Sequence, residues 1–189
     1  MKLILASASP RRKELLGKIG LEFDIIPAKG EEVITQTLPW EVVKELSFQK
    51  AKEIADIQAE ECIVIGSDTI VAKGEQIMGK PKDEADAFNM LKTLSGDWHS
   101  VISGVTVLDN KSAKSESFYV ETKVKFAHLT DEEINNYIKT KEPMDKAGSY
   151  GIQGKGSRFI EKIDGDYFNV VGLPVQKLYT VLKKEFNIF

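Results

Sequence analysis

What most restricts this chain is a buried-strand signal followed at once by a helix start, repeated along its length. Residues 2–6 are a short apolar run, and Ser9-Pro10 just after it joins an N-cap residue to a proline at the first helical position. Leu15, Leu16 and Ile19 supply the apolar stripe of that helix, and Gly20 its stop. Residues 23–26 read as a second strand and 27–38 as a loop carrying Glu31 and Glu32. Trp40, Val43, Leu46, Ala51, Ile54 and Ala55 predict a long helix over about 39–58. Strands alternating with capped helices specify an α/β protein.

The alternation continues. Residues 62–65 predict a buried strand that ends in Gly66-Ser67-Asp68-Thr69, and 70–72 pair with 77–78 across a tight turn. Asp83 caps a helix to about residue 94. Residues 98–108 and 118–127 alternate with period two, as the arms of a hairpin do. Thr130-Asp131-Glu132-Glu133 is a capping box, and residues 145–158 are a Gly- and Lys-rich loop. Residues 159–163 and 167–171 flank Asp164-Gly165-Asp166, which predicts a second hairpin. Pro174 begins the last helix. No repeat, low-complexity tract or Pro/Gly/Ser linker divides the chain, so two lobes, if present, share one sheet.

Composition excludes several classes. A chain of 189 residues buries roughly 70% of its unfolded surface and folds without staples. Its 1 Cys, Cys62, makes no internal disulfide, and with 2 His it builds no Cys/His zinc site, so any metal must sit on oxygen. With 26 Lys+Arg against 29 Asp+Glu, the net charge of −3 speaks against bulk nucleic-acid binding. No apolar stretch reaches the ~20 residues of a membrane span. The apolar start is too short for a signal-peptide core. The expectation is a cytoplasmic protein with neither a membrane nor a nucleic-acid partner. Asn110-Lys111-Ser112 is then an ordinary polar turn.

Four segments place polar residues where a core would not. Ser7-Ala8-Ser9-Pro10-Arg11-Arg12 sets two arginines at a helix N-terminus, a seat for an anion although the helix dipole disfavours cations there. The bland alternative is two solvated arginines. Asp68, after an apolar strand, could bind Mg²⁺ or take a proton from water, or could simply be a turn aspartate. Gly79-Lys80-Pro81-Lys82 is basic and stiff. Residues 145–156 hold four glycines in nine positions, which allow close backbone approach to a ligand. Gly154-Lys155-Gly156 lacks the Ser/Thr of a P-loop, so that motif is rejected. Asp164 and Asp166 are turn residues before they are a catalytic pair, and His99, His128 and Cys62 read as structural. Arg and Lys for phosphates, Gly loops and carboxylates without His or Cys together make a kit for metal-assisted attack on a phosphoryl group.

Taken in order, Leu5-Ala6-Ser7-Ala8-Ser9-Pro10-Arg11-Arg12, Glu31-Glu32, Lys50-Ala51-Lys52, Gly66-Ser67-Asp68-Thr69, Gly79-Lys80-Pro81, Leu94-Ser95-Gly96, Asp145-Lys146-Ala147-Gly148, Gln153-Gly154, Asp164-Gly165-Asp166-Tyr167 and Gly172-Leu173-Pro174 span nearly the whole chain. Each is weak alone, but in this order and spacing the chain closely resembles the Maf family of nucleoside triphosphate pyrophosphatases. The resemblance implies one domain over residues 1–189, with an elongated, two-lobed α/β fold. A mixed, twisted β-sheet is flanked by helices, as in inosine-triphosphate pyrophosphatases, with the substrate in a central cleft. It implies hydrolysis of a nucleoside triphosphate to the monophosphate and pyrophosphate with a divalent cation, Mg²⁺ or Mn²⁺.

Residue by residue, Asp68 matches the family's proton acceptor, and Glu32 with Asp68 would hold the metal. Arg12, Lys52, Lys80 and Lys146 would bind phosphates, with Ser7 donating a hydrogen bond. Arg11, Thr69 and Gln153 match positions tied to base selection, and Gly151-Ile152-Gln153-Gly154 has the form of the branch acting on dTTP and UTP. A Gln amide pairs with the donor–acceptor edge of uracil or thymine. Whether Asp68 is base, ligand or both stays open. The resemblance also suggests housecleaning of nucleotide pools, including modified pyrimidine nucleotides, a link to arrest of cell division, and a homodimer. The competing expectations are a non-catalytic division regulator and an inosine-triphosphate pyrophosphatase.

Overall fold

The computed structural model describes residues 2–189; Met1, which the sequence reading includes in the domain, lies outside the described residues. The order is β1 (Lys2–Leu5), α1 (Pro10–Gly17), β2 (Asp24–Ile25), α2 (Pro39–Asp56), β3 (Cys62–Lys73), β4 (Gln76–Met78), α3 (Glu84–Leu94), β5 (Trp98–Asp109), β6 (Ser115–Phe126) and α4 (Asp131–Ile138). Three 3₁₀ turns follow (Glu142–Asp145, Ala147–Ser149, Lys155–Phe159), then β7 (Ile160–Asp164), α5 (Tyr167–Val171) and α6 (Val175–Phe186). The strands form one mixed, twisted sheet in the order β2-β1-β3-β5-β6-β7, with β4 paired to β3. β1 is parallel to β2 and β3, while β4 runs antiparallel to β3 and β7 antiparallel to β6. Among the described residues no helix is long and apolar enough to cross a membrane.

The local start signals work as the sequence says. Ser9 caps α1 by accepting from the Arg12 amide at 3.5 Å, Asp83 caps α3 by accepting from Asp86, and Thr130 and Glu133 complete a capping box on α4. Three expectations change. Gly66–Thr69 is no turn: β3 runs unbroken from Cys62 to Lys73, which puts Asp68 in mid-strand. Both flanks of β3 are lined by other strands, and Ser67 is fully buried. Continuing the strand satisfies backbone groups that a buried turn would strand. The second arm of the last hairpin is instead helix α5. Asp166 Oδ1 accepts from the Phe168 amide at 2.8 Å, and buried Asn169 donates to the Val101 carbonyl and to Thr122 Oγ1, both at 3.0 Å. The 145–158 loop is largely wound into 3₁₀ turns.

Helix α2 lies unusually close to the sheet, and two strand glycines permit it. A Cβ at Gly66 would stand 2.8 Å from the Ala51 amide nitrogen and nearer still to the Ser47 carbonyl. One at Gly104 would stand 2.9 Å from the Lys44 nitrogen. Both obstacles are backbone, which cannot swing aside. The face so buried is Val42, Val43, Leu46, Ser47, Ala51, Ile54 and Ala55. Trp40, expected in that stripe, is instead part-exposed and stacks on Tyr119 at 6.4 Å. Ser47 tolerates burial because its hydroxyl bonds Thr106 Oγ1 and the Lys44 carbonyl, both at 2.9 Å. Gly66→Ala is expected to destabilise the protein by about 1–3 kcal/mol through overpacking, read as a lower denaturation midpoint. A midpoint unchanged within error would show that α2 can lift off β3.

The chain divides into two compact units, the first made of the chain up to Asp68, Ser103–Val120 and Gly172–Phe189, the second of Thr69–Ile102 and Glu121–Val171. Ile4, Ala51, Ile54, Val64 and the inert, buried Cys62 form a core cluster in the first. The second packs Leu91, Phe126, Tyr137, Tyr150 and Phe159. His99 belongs to that second core: its Nε2 lies 2.8 Å from the Tyr150 hydroxyl. Burial, then the Lys73 charge, lowers its pKa to about 4 against the pull of Asp97, so it is a neutral structural histidine.

Candidate active site

In the first unit, the segment between β1 and α1 carries Ser7 and Arg12. Ser7 Oγ accepts from the Ser9 amide and from Arg12 Nη1, both at 3.3 Å, and Arg12 Nε donates to the Gly172 carbonyl at 2.9 Å. A guanidinium tied at two corners keeps its direction, which is what phosphate recognition needs. Burial lowers the Arg12 pKa and Arg11 adds to that, while Asp68 and Glu32 oppose it. Arg12 therefore sits in the field of both candidate metal-binding carboxylates.

A residue outside the expected set joins those two carboxylates. Lys50 Nζ lies 2.5 Å from Asp68 Oδ1 and 2.8 Å from Glu32 Oε1. The Lys50 and Asp68 side chains are only 18% and 14% exposed, so this is a shielded pair rather than a surface one. Lys52, expected to bind phosphate, is placed elsewhere: its ammonium pairs with Asp56 on an exposed face of the same helix. Residues two positions apart on a helix stand about 200° around its axis, so Lys50 and Lys52 cannot share a face. The signal was available, because Lys50 is in register with the buried stripe (Val43, Ser47, Ile54) and Lys52 with exposed Phe48 and Asp56.

Glu32 reaches this cluster on a strap over residues 29–36 that α2 holds by side chains. Glu53 accepts from the Lys29 and Gly30 amides at 2.8 and 3.0 Å, Gln49 Oε1 from the Val33 amide at 3.0 Å, and Glu45 from the Thr35 amide at 2.9 Å. The three recur every fourth residue, hence on one helix face. That hydrogen bonding, Thr35 Oγ1 first, holds the Glu45 carboxyl below the usual carboxylate range.

The donor set fits a hard cation. Two carboxylates already share one positive charge, and both present oxygen only. Among the described residues no three His, Cys, Asp or Glu gather into a cage. A metal here would depend on phosphate and water for its remaining ligands, as Mg²⁺ commonly does.

In the second unit, Thr69 opens its part of β3. Lys80 is exposed after β4, Lys146 lies between two 3₁₀ turns, and Gln153 is exposed in the 151–156 loop. The Gly148 amide donates to the Gly79 carbonyl at 3.1 Å, which brings the segments of Lys80 and Lys146 side by side. Gly148 has φ +66, and a Cβ there would lie 2.7 Å from Val71 Cγ2, two residues from Thr69 on the same strand. Lys146 Nζ donates to Asp145 Oδ1 at 2.6 Å and to the Glu142 carbonyl at 2.7 Å. Arg11 is half-buried in the first unit.

Among solved structures, this fold resembles an α/β protein class represented by a HAM1 protein from Coxiella burnetii (TM-score 0.55, 16% identity, covering 97% of this chain and 99% of that one). The Ham1 protein of Staphylococcus aureus is similar (TM-score 0.52, 13% identity, 98% and 100%). At such identities the likeness concerns the fold alone. The sequence is more particular: residues 2–185 match the Maf-like protein family, and the chain belongs to it. It is 52% identical over 188 residues to a protein of Thermoanaerobacter sp. (strain X514) named dTTP/UTP pyrophosphatase, covering 100% of this chain and 98% of that one. Proteins of the same name from Alkaliphilus oremlandii (54% identity, 99% and 97% covered) and Clostridium novyi (54%, 96% and 96%) are similarly close.

Proposed function

We propose that this protein hydrolyses dTTP and UTP to the nucleoside monophosphate and pyrophosphate, adding water across the bond between the α- and β-phosphates. The observation that carries the reading is the Lys50–Asp68–Glu32 cluster beside a doubly anchored Arg12. It combines a shielded carboxylate on a rigid strand with cations that meet phosphate charge. Relatives that are half identical along the whole chain and bear that activity in their names support it.

In this reading Lys50 engages Asp68 Oδ1 and orients the carboxylate, so that the other oxygen, Oδ2, directs the attacking water and takes its proton. The P–O bond to the water forms as the bridging P–O bond breaks, and pyrophosphate leaves. Arg12, with Lys80 and Lys146, neutralises charge on the phosphates, and Ser7 keeps Arg12 in place. Lys146 would exchange its Asp145 partner for phosphate. Glu32 and Asp68 would hold Mg²⁺ or Mn²⁺, which when bound neutralises the phosphates further. We assign the phosphate role of the α2 lysines to Lys50, and base selection to Gln153 with Thr69 and Arg11. The reading carries with it a cytoplasmic location and a homodimer, both open to direct measurement.

A panel of triphosphates with Mg²⁺ tests it. dTTP and UTP should be preferred over purine nucleotides, with pyrophosphate released and activity lost to a chelator. Orthophosphate as the sole inorganic product, or a preference for inosine or 7-methylguanosine triphosphate, would overturn it.

A further inference from the structure

The glycine-rich segment 145–156 reads, from sequence, as a place where backbone approaches a ligand closely, and residues 151–156 are its second half. The structure shows what its glycines already lie against. A Cβ at Gly151 would stand 2.7 Å from Lys146 Cε, one at Gly154 2.7 Å from Glu142 Oε2, and one at Gly156 2.7 Å from the Tyr137 hydroxyl. Glu142 and Tyr137 are not loose ends that could yield. Glu142 Oε1 accepts from the Tyr137 hydroxyl at 2.8 Å and from the Gly156 amide at 3.1 Å, and Oε2 accepts from the Lys155 amide at 2.9 Å. The Tyr137 hydroxyl in turn accepts from the Gly151 amide at 3.1 Å. Both ends of the loop are thus tied to one carboxylate and one phenol. Gln153, midway between the ties, has its side chain exposed.

Electrostatics agree with the geometry. Burial pushes the Glu142 carboxyl up, but the Lys155 and Gly156 amides, the Tyr137 hydroxyl and the Lys146 charge outweigh it, so the carboxyl stands below its usual range and is ionised at neutral pH. Burial, then the bond to Glu142, holds the Tyr137 phenol above its usual range, so it keeps the proton it donates. The Glu142 main-chain carbonyl also accepts from Lys146. One residue therefore fixes both the loop of the candidate base reader and the ammonium of a candidate phosphate binder.

We propose that Glu142, acting with Tyr137, is a positioning residue for pyrimidine selection: its carboxylate clamps the 151–156 loop so that the Gln153 amide meets the base in one orientation. This rests on the assignment of Gln153 to the base given above. A loop with two ties presents one donor–acceptor pattern, and discrimination between bases depends on polar groups that cannot rearrange to suit the wrong one.

The test compares kcat and KM for dTTP, UTP and dATP in the wild type, Glu142→Gln and Tyr137→Phe, together with amide hydrogen exchange over residues 151–156. The amide side chain of Glu142→Gln keeps the volume, but its NH₂ cannot accept from a backbone amide, so one tie is lost. Loss of a charge-assisted bond predicts a rise of about tenfold in KM for dTTP and UTP, with kcat changed by less than about threefold and dATP almost unaffected. Exchange at Lys155 and Gly156 should quicken. Tyr137→Phe, which leaves the carboxylate in place, should raise KM by about threefold. A folded Glu142→Gln enzyme that keeps its pyrimidine preference overturns the proposal, as does an equal loss on all three nucleotides. If Glu142→Gln does not fold, Tyr137→Phe decides by the same criterion. A wild type without pyrimidine preference overturns the Gln153 assignment itself, and this is visible before any variant is made.

Discussion

Asp68→Asn is expected to slow dTTP turnover by about 10²–10⁴-fold, the usual worth of a positioned general base, while the protein stays folded. The amide has the shape of the carboxylate, and its oxygen can still accept from Lys50, which keeps its second partner, Glu32. What is lost is the ability to take a proton and one of the two charges that would hold a divalent cation. Pyrophosphate release measured beside a denaturation curve separates the two outcomes. A folded variant that hydrolyses dTTP at the wild-type rate would falsify the assignment of Asp68. Raising the Mg²⁺ concentration distinguishes the roles: activity restored by excess metal speaks for a ligand, and activity that stays low for a base.

The second large effect falls on Lys50. Lys50→Met keeps the length of the side chain but removes the cation that Asp68 and Glu32 share. Two carboxylates left facing each other repel, so the change misorients Asp68 as well as removing a phosphate partner. A loss of about 10²-fold in kcat/KM is expected, the equivalent of one strong charged hydrogen bond, ~3 kcal/mol. Lys52→Met serves as the control. Its ammonium pairs with Asp56 on the exposed face of α2 rather than with Asp68, so it stabilises no transition-state charge and kcat/KM should change by no more than about twofold. If Lys52→Met proves the more damaging of the two, the role belongs to Lys52 and the shielded cluster is not where the phosphates bind.

Leu5 to Arg12 was legible because its signals act over a few residues: an apolar run, a Ser cap, a Pro at the first helical position. The same holds for the capping box at Thr130 and for the helices begun by Asp83 and Pro174. At Gly66–Thr69 local preference points to a turn, because Gly and Asp are turn residues, yet β3 runs straight through. Only strands far away in the chain make an extended backbone the better solution there. Residues 167–171 form a helix in place of the expected strand for a related reason: Asn169 is held by Val101 and Thr122, partners 68 and 47 residues distant.

Chemistry divides the same way. Residue identity gives the inventory: oxygen ligands in place of Cys and His, arginines at a helix start, lysines flanked by glycine and proline, and order enough to place the chain in its family. These follow from residue identity and short-range spacing, which a linear string records. What the fold added is that the inward lysine of α2 meets Asp68 and Glu32 together, that Glu32 arrives on a strap held by three side chains of α2, and that the loop glycines face Glu142 and Tyr137. Each of these is a contact between segments separated in the chain, made by side chains that only the folded backbone brings within reach, and no local preference names the partner.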